Sequence, residues 1–302
     1  MEVVQPVLLS SIEGDPMRLV TYQSADGPRV AGLRDTMIVD LNLADAKVPS
    51  CVKQLLAQGP EGIRRAEAAL ANGKPMPVES VSLIAPIPRP EKIICIGLNY
   101  ADHAREGGHE PPSVPVMFAK FSSAASAHQR PIVLPRLSQE VDYEAELVVV
   151  IGVGGRHIPK DAALEHVAAY CCGNDVSARD WQLKRPGGQW LLGKSFDTFA
   201  PFGPALVTAD EVPDPGNLPI QLRLNGEVMQ KSNTNQLIFP VPDLISYVSG
   251  VCTLVPGDLI FTGTPSGVGF ARDPQVFLKP GDVTEVEIGG LGVLRNQVVA
   301  EK

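Results

Sequence analysis

Apolar positions in this chain fall mostly into short alternating or continuous runs, and few stretches repeat at helical spacing. Near the N-terminus, Met17–Gln23, Arg29–Leu33 and Thr36–Leu41 alternate apolar and polar residues. Asp26-Gly27-Pro28 and Asp35 separate them, which predicts a small β-meander. Two helices are predicted next. Val52–Gln58 follows Ser50, a good N-cap, and ends near Gly59; Glu61–Ala71 is rich in Ala, Glu and Arg and stops at Asn72-Gly73. The run Ile84-Ala-Pro-Ile-Pro-Arg-Pro90 removes three backbone donors in a short stretch. It reads as a stiff linker between a small N-terminal domain, residues 1–88, and a main domain, residues 91–302.

The main domain is predicted to be rich in strands: Lys92–Gly97, Val116–Phe121, Glu144–Ile151, Ala205–Val207, Asp258–Thr262 and Thr284–Ile288. Gln221–Leu224, Asn225-Gly226 and Val228–Gln230 form the clearest local signal, a hairpin with a two-residue turn. Helices are expected only at Asp161–Tyr170 and Asp243–Val248. Strand runs without regular intervening helices predict an α+β fold with mixed or antiparallel sheets, not a doubly wound one.

Composition narrows the function. The 302 residues suffice for a well-buried core, and 44% apolar with 20% charged residues is ordinary for a globular chain. No apolar run reaches the roughly 18 residues a membrane span requires. A net charge of −8 without a Lys/Arg cluster argues against nucleic-acid binding. Such a protein needs a local positive site to take an anionic substrate, and a metal ion is one solution. The chain opens with Glu2 and has no basic segment before Val7-Leu8-Leu9, so a cytoplasmic location is the default expectation. Cys51, Cys95, Cys171, Cys172 and Cys252 show no C-x-x-C spacing and read as reduced core thiols.

The candidate chemistry centres on Val141-Asp-Tyr-Glu-Ala-Glu-Leu-Val-Val-Val-Ile151. A strand repeats every two residues, so Glu144 and Glu146 share a face. Two carboxylates entering an apolar strand need compensation, for which a hard cation is the simplest agent. An exposed edge strand with both side chains in water accounts for the same pattern. Asp175, at the start of a polar turn, would complete an all-oxygen site with open positions, as Mg²⁺ or Mn²⁺ prefers; Asp180 is a second candidate in the same segment, or a helix cap or partner for Arg179. His103 and Glu106 are three apart and share a helical face, which suits a carboxylate-oriented general base; a surface pair is the plain alternative. Gly107-Gly108 and Pro111-Pro112 frame a segment able to serve as a lid. Lys194 is a cation available to a carboxylate or enolate, or an ordinary surface lysine. Gly188–Ser195 matches P-loop spacing, but no helix is expected after it. Phe261–Gly269 is a glycine-rich loop whose amides and Thr264 hydroxyl suit a carboxylate.

Together these segments resemble the fumarylacetoacetate hydrolase family: Gly97-Leu-Asn-Tyr100 with His103-x-x-Glu106, Asp142-x-Glu144-x-Glu146, Asn174–Gln182, Gly193-Lys-Ser-Phe-Asp197 and Thr262–Gly269. The resemblance covers residues 91–302 and implies a mixed β-roll with few helices, usually a homodimer. It implies Mg²⁺ or Mn²⁺ on Glu144, Glu146 and Asp175, a water-activating His103–Glu106 dyad on a lid, and Lys194 as oxyanion stabiliser. It further implies substrate contacts from Tyr100, Lys120, Arg179, Gln182 and Thr264. Residues 124–131 depart from the family's usual turn, and His128 there reads as a loop residue. The expected activity is hydrolysis of a C–C bond in a small anionic 2-oxo or β-diketo acid. The alternatives are decarboxylation or keto–enol tautomerisation of oxaloacetate, isomerisation of an unsaturated dicarboxylate, and a non-catalytic module holding a structural ion.

Overall fold

The computed structural model describes residues 17–302; the leading segment with Glu2 and Val7-Leu8-Leu9 lies outside the described residues. A twelve-stranded mixed sheet forms the backbone of the molecule. From one edge it runs Pro75–Pro77, Met37–Asp40, Gly27–Arg34, Arg18–Ser24, Ala200–Thr208, Val167–Asn174, Ala145–Ile151, Leu259–Phe261, Ile93–Gly97 and Val116–Lys120. Two short strands, Ser82–Ile84 and Ala125–Ser126, pair off this path. A five-stranded sheet, in the order Glu227–Asn233, Pro219–Leu224, Val283–Ile288, Gly292–Ala300 and Ile132–Leu134, packs against one face. Leu259–Phe261 pairs in parallel with Ile93–Gly97, and most other pairs are antiparallel. This is the expected α+β fold. Among the described residues no helix is long and apolar enough to cross a membrane.

The N-terminal strands are not packed as a separate layer. Arg18 and Leu19 pair with Val207 and Leu206, so the meander extends the main sheet. The helices Val52–Leu56 and Gly59–Asn72 cover that sheet, burying Leu55, Leu56, Ala66 and Leu70 against Val148, Val150, Phe202 and Leu206. On the opposite face Leu147, Val149 and Ile151 meet Ile220, Leu222, Val286 and Ile288, together with Leu244, Ile245 and Val248 of the helix Val241–Val251. Ala145–Ile151 is therefore buried on both faces, which is why its sequence is a continuous apolar run. Each fully buried Leu, Ile or Val there contributes about 1.5–3 kcal/mol.

Two expectations are corrected. The helix expected at Asp161–Tyr170 is a 3-10 segment, Lys160–His166, and Val167–Asn174 is a strand antiparallel to Ala145–Ile151. Pairing with a central strand overrides the local acidic and alanine signal. The thiols are not all core: Cys51 is exposed and Cys252 half-buried. Cys171 and Cys172 are successive strand residues on opposite faces, in different core clusters, so they do not face one another. The Asn225-Gly226 hairpin is present, with both residues at positive φ (53° and 85°) as such a turn requires.

Candidate active site

Glu144, Glu146 and Asp175 converge at the end of the central strands. Alternation along Ala145–Ile151 puts Glu146 on the face of Val148, and Glu144 precedes the strand on that side. Asp175 follows the neighbouring strand Val167–Asn174, and its N–H donates to the Glu144 carbonyl at 2.9 Å. Each carboxylate offers an oxygen within 4.8 Å of the others, and all three are buried.

A shell of cations surrounds them. Lys194 Nζ donates to Glu144 Oε2 at 2.7 Å and to Asp175 Oδ2 at 2.9 Å. Arg179 Nη2 pairs with Glu144 Oε1 at 2.7 Å and with Asp142 Oδ2 at 2.8 Å. Lys120 Nζ stands 2.6 Å from Asp175 Oδ1, but its aligned hydrogen bonds go to the carbonyls of Val176 and Phe199. Burial opposes ionisation of Glu144, yet Lys194 and Arg179 hold its carboxyl well below the usual range. Glu146 has no cation partner among the described residues and accepts only the Gly263 N–H, at 2.7 Å. Burial, then repulsion from Asp175 and Glu144, pushes its carboxyl well above the usual range.

With all four carboxylates (Asp142, Glu144, Glu146, Asp175) ionised, as ligands of a cation would be, the three cations (Lys120, Arg179, Lys194) leave the site one positive charge short of balance. An all-oxygen trio with a charge deficit suits a hard divalent cation.

Above the trio lies a cleft of about 80 Å³, lined by His103, Glu144, Glu146, Arg179, Gln182, Lys194 and Thr264, with Phe118 and Trp190 as an apolar wall. Phe118 and Trp190 meet edge to face at 5.4 Å. The helix Ala101–Glu106 roofs the cleft. Its base is fixed by Asn99, whose amide donates to the carbonyls of Thr262 and Phe239. Its body docks on the glycine-rich loop: Ser266 Oγ donates to Asp102 Oδ2 at 2.9 Å, and Gly267 N–H to Glu106. His103 Nδ1 lies 3.3 Å from Glu106 Oε2, which leaves Nε2 for the cleft.

Not every expected residue lines the cleft. Glu106 and Asp175 stand behind His103 and Lys194. Tyr100 and Lys120, expected at the substrate, are not brought there: Tyr100 is fully buried with its hydroxyl unpartnered, and Lys120 points inward at two carbonyls. Lys194, far from an ordinary surface lysine, is buried at the end of a one-turn helix, Trp190–Lys194. Asp142 went unassigned in the sequence. Its Oδ1 accepts the Gly269 N–H, and its Oδ2 accepts from Arg179 Nε and Phe270 N–H, tying arginine to loop. Its place two residues before Glu144, on the same face, was the available signal.

The Fumarylacetoacetate (FAA) hydrolase C-terminal family matches residues 92–299. The chain belongs to the fumarylacetoacetate hydrolase family. It is 51% identical over 289 residues, 94% of its own length and 92% of the relative's, to human "Oxaloacetate tautomerase FAHD2A, mitochondrial". Among solved structures, fumarylacetoacetate hydrolase from Exiguobacterium antarcticum superposes with a TM-score of 0.81 at 35% identity, covering 94% of this chain and 100% of that one. Maleylpyruvate hydrolase from Sphingobium sp. SYK-6, solved with manganese(II) and pyruvate, gives 0.79 at 33% identity, covering 95% and 100%. "Fumarylacetoacetate hydrolase domain-containing protein 2" from Pongo abelii is 49% identical over 289 residues, 94% of this chain and 92% of the relative, and Ser177–Gln182 and Ser232–Gln236 resemble that type. The cytoplasmic expectation is overturned, since the human relative is mitochondrial. It had rested on the lack of a basic leading segment, and an absence carries no address.

Proposed function

We propose that this family member is a divalent-metal-dependent keto–enol tautomerase of a compact 2-oxo dicarboxylate of the oxaloacetate type. The observation that carries the reading is the meeting of Glu144, Glu146, Lys194 and His103 in one cleft, with Asp175 within 4.8 Å of both glutamates. Identity of 51% to a human oxaloacetate tautomerase supports it. Glu144, Glu146 and Asp175 would hold the ion, Mg²⁺ or Mn²⁺, which when bound supplies Lewis-acid polarisation of the oxo oxygen.

The chain's own groups supply the rest. Arg179 and Thr264, on the cleft wall, bind carboxylate oxygens. In the enol-to-keto direction the C2 hydroxyl loses a proton, C2=C3 becomes C2=O, and C3 gains a proton. His103 Nε2 takes the first proton and returns it to C3, while Glu106 steadies the imidazolium between the two transfers. Lys194 offsets the negative charge that develops on the C2 oxygen. Net, one O–H bond is exchanged for one C–H bond, and no water is consumed.

The originally expected C–C hydrolysis is the second reading, supported by the Sphingobium hydrolase. It differs from tautomerisation in requiring an activated water beside a longer acylpyruvate and in breaking a C–C bond. The test is a screen with Mn²⁺ or Mg²⁺ over oxaloacetate and acylpyruvates, following enol loss, C–C cleavage and CO₂ release. Fast enol loss without cleavage or CO₂ supports the tautomerase. Cleavage of acylpyruvates without accelerated enol loss refutes it in favour of the hydrolase.

A further inference from the structure

Gln230 lies on the strand Glu227–Asn233 of the smaller sheet, 1% exposed, and belongs to none of the motifs that carry the family resemblance. Its side chain nevertheless reaches both halves of the site. Gln230 Oε1 accepts the N–H of Ala145, the residue between the two glutamates, at 2.9 Å. Gln230 Nε2 donates to the Pro265 carbonyl and to Thr264 Oγ1, each at 2.8 Å.

These partners leave the amide one orientation. The Ala145 N–H is only a donor and the Pro265 carbonyl only an acceptor, so oxygen must face the first and nitrogen the second. Both Nε2 hydrogens are then committed, one of them to Thr264 Oγ1. A hydroxyl that accepts there must send its single proton elsewhere. Among the described residues that proton has no acceptor, and Thr264 lines the cleft.

We propose that Gln230 is a positioning residue that turns the Thr264 hydroxyl proton into the cleft, so that Thr264 donates to a substrate carboxylate. The inference rests on the proposed reading of the cleft as an oxo-acid site. Without Gln230, nothing donates to Thr264 Oγ1, and the hydroxyl is free to turn its lone pairs toward an anion in the cleft.

The test compares Gln230→Met, Thr264→Val and their double variant in the Mn²⁺-loaded full chain. In Gln230→Met, KM for oxaloacetate rises about 10-fold or more, as loss of a hydrogen bond to a charged group implies, while kcat changes less than about threefold. The double variant is no worse than Thr264→Val alone, and Mn²⁺ affinity stays within about twofold of wild type; a merely structural glutamine would give additive losses and lower both parameters. Calorimetric binding of pyruvate gives a readout independent of turnover, so the proposal is judged even if oxaloacetate is not turned over. Pyruvate affinity falls by the same factor in Gln230→Met and in Gln230→Asn, whose amide is one methylene too short to reach Thr264. Unchanged pyruvate affinity in the folded variants, or additive losses in the double variant, overturns the proposal. If neither Gln230 variant folds, Thr264→Ser must retain pyruvate affinity and Thr264→Val lose it; equal affinities overturn it as well.

Discussion

Glu106 takes the Gly267 N–H with both carboxylate oxygens, at 2.8 and 3.1 Å, while its Oε2 stands 3.3 Å from His103 Nδ1. One carboxylate thus docks the roof helix and orients the imidazole. Gly267 has φ +103°, and a Cβ there would run into the Met229 carbonyl. Gly267→Ala should shift the loop, release Glu106 and lower kcat by about 10- to 100-fold with Mn²⁺ affinity intact. Steady-state kinetics beside a metal titration checks this. An unchanged kcat in a folded variant would remove the docking contact from catalysis.

Lys194→Met should separate catalysis from metal binding. The ammonium bridges Glu144 and Asp175, so its loss leaves buried carboxylates uncompensated and destabilises the metal-free protein by about 3–5 kcal/mol. Mn²⁺ should recover part of that stability while kcat stays about 10²–10³-fold below wild type. Denaturant unfolding with and without Mn²⁺, with rates on the same samples, decides the matter. Near-normal kcat with Mn²⁺ would make the lysine structural only.

The charge deficit predicts the response to metal. Saturating Mn²⁺ should raise Tm, by about 2.7 kcal/mol of stability at a hundredfold excess over Kd. Glu146→Gln keeps an acceptor for the Gly263 N–H and removes the one carboxylate of the trio that has no cation partner among the described residues. That variant should melt higher than wild type in chelator and gain less from Mn²⁺. An undiminished Mn²⁺ gain would take Glu146 out of the ion site.

How much of this was legible in the sequence depends on the range of the contact. Period-two alternation placed Glu144 and Glu146 on one face, and spacing of three paired His103 with Glu106. Both are local facts, and both geometries are present in the fold. Lys120 and Tyr100 were expected at the substrate from the family resemblance. The fold turns Lys120 toward the Val176 and Phe199 carbonyls, a contact across more than fifty positions of sequence. The Gln230–Thr264 bond joins the smaller sheet to the loop that follows Leu259–Phe261, and no local pattern marks it. The extension of the main sheet by Arg18–Ser24 is equally non-local, because nothing in either strand names its partner.

A pH prediction comes from the N-terminal meander. Tyr22 Oη donates to Asp40 Oδ2 at 2.5 Å, and Arg29 pairs with the same carboxylate. Burial, then the bond to Asp40, pushes the Tyr22 phenol up to about 12. A raised pKa contributes stability that is full below the unfolded value of about 10 and is lost as pH rises through the folded value. Stability should therefore fall between about pH 10 and 12, and less steeply in Tyr22→Phe. Urea midpoints across that range test it, and parallel profiles for the two proteins would refute it.

The central claim is that the trio and His103 together drive tautomerisation. Its most direct measurement is the rate of enol-oxaloacetate loss, followed by absorbance, for wild type, Glu144→Gln and His103→Ala with and without Mn²⁺. The account predicts Mn²⁺-dependent acceleration in wild type, none above background in Glu144→Gln, and a fall of about 10²–10⁴-fold in His103→Ala with Mn²⁺ still bound. Equal enol loss in all three proteins, or acceleration indifferent to Mn²⁺, would contradict it.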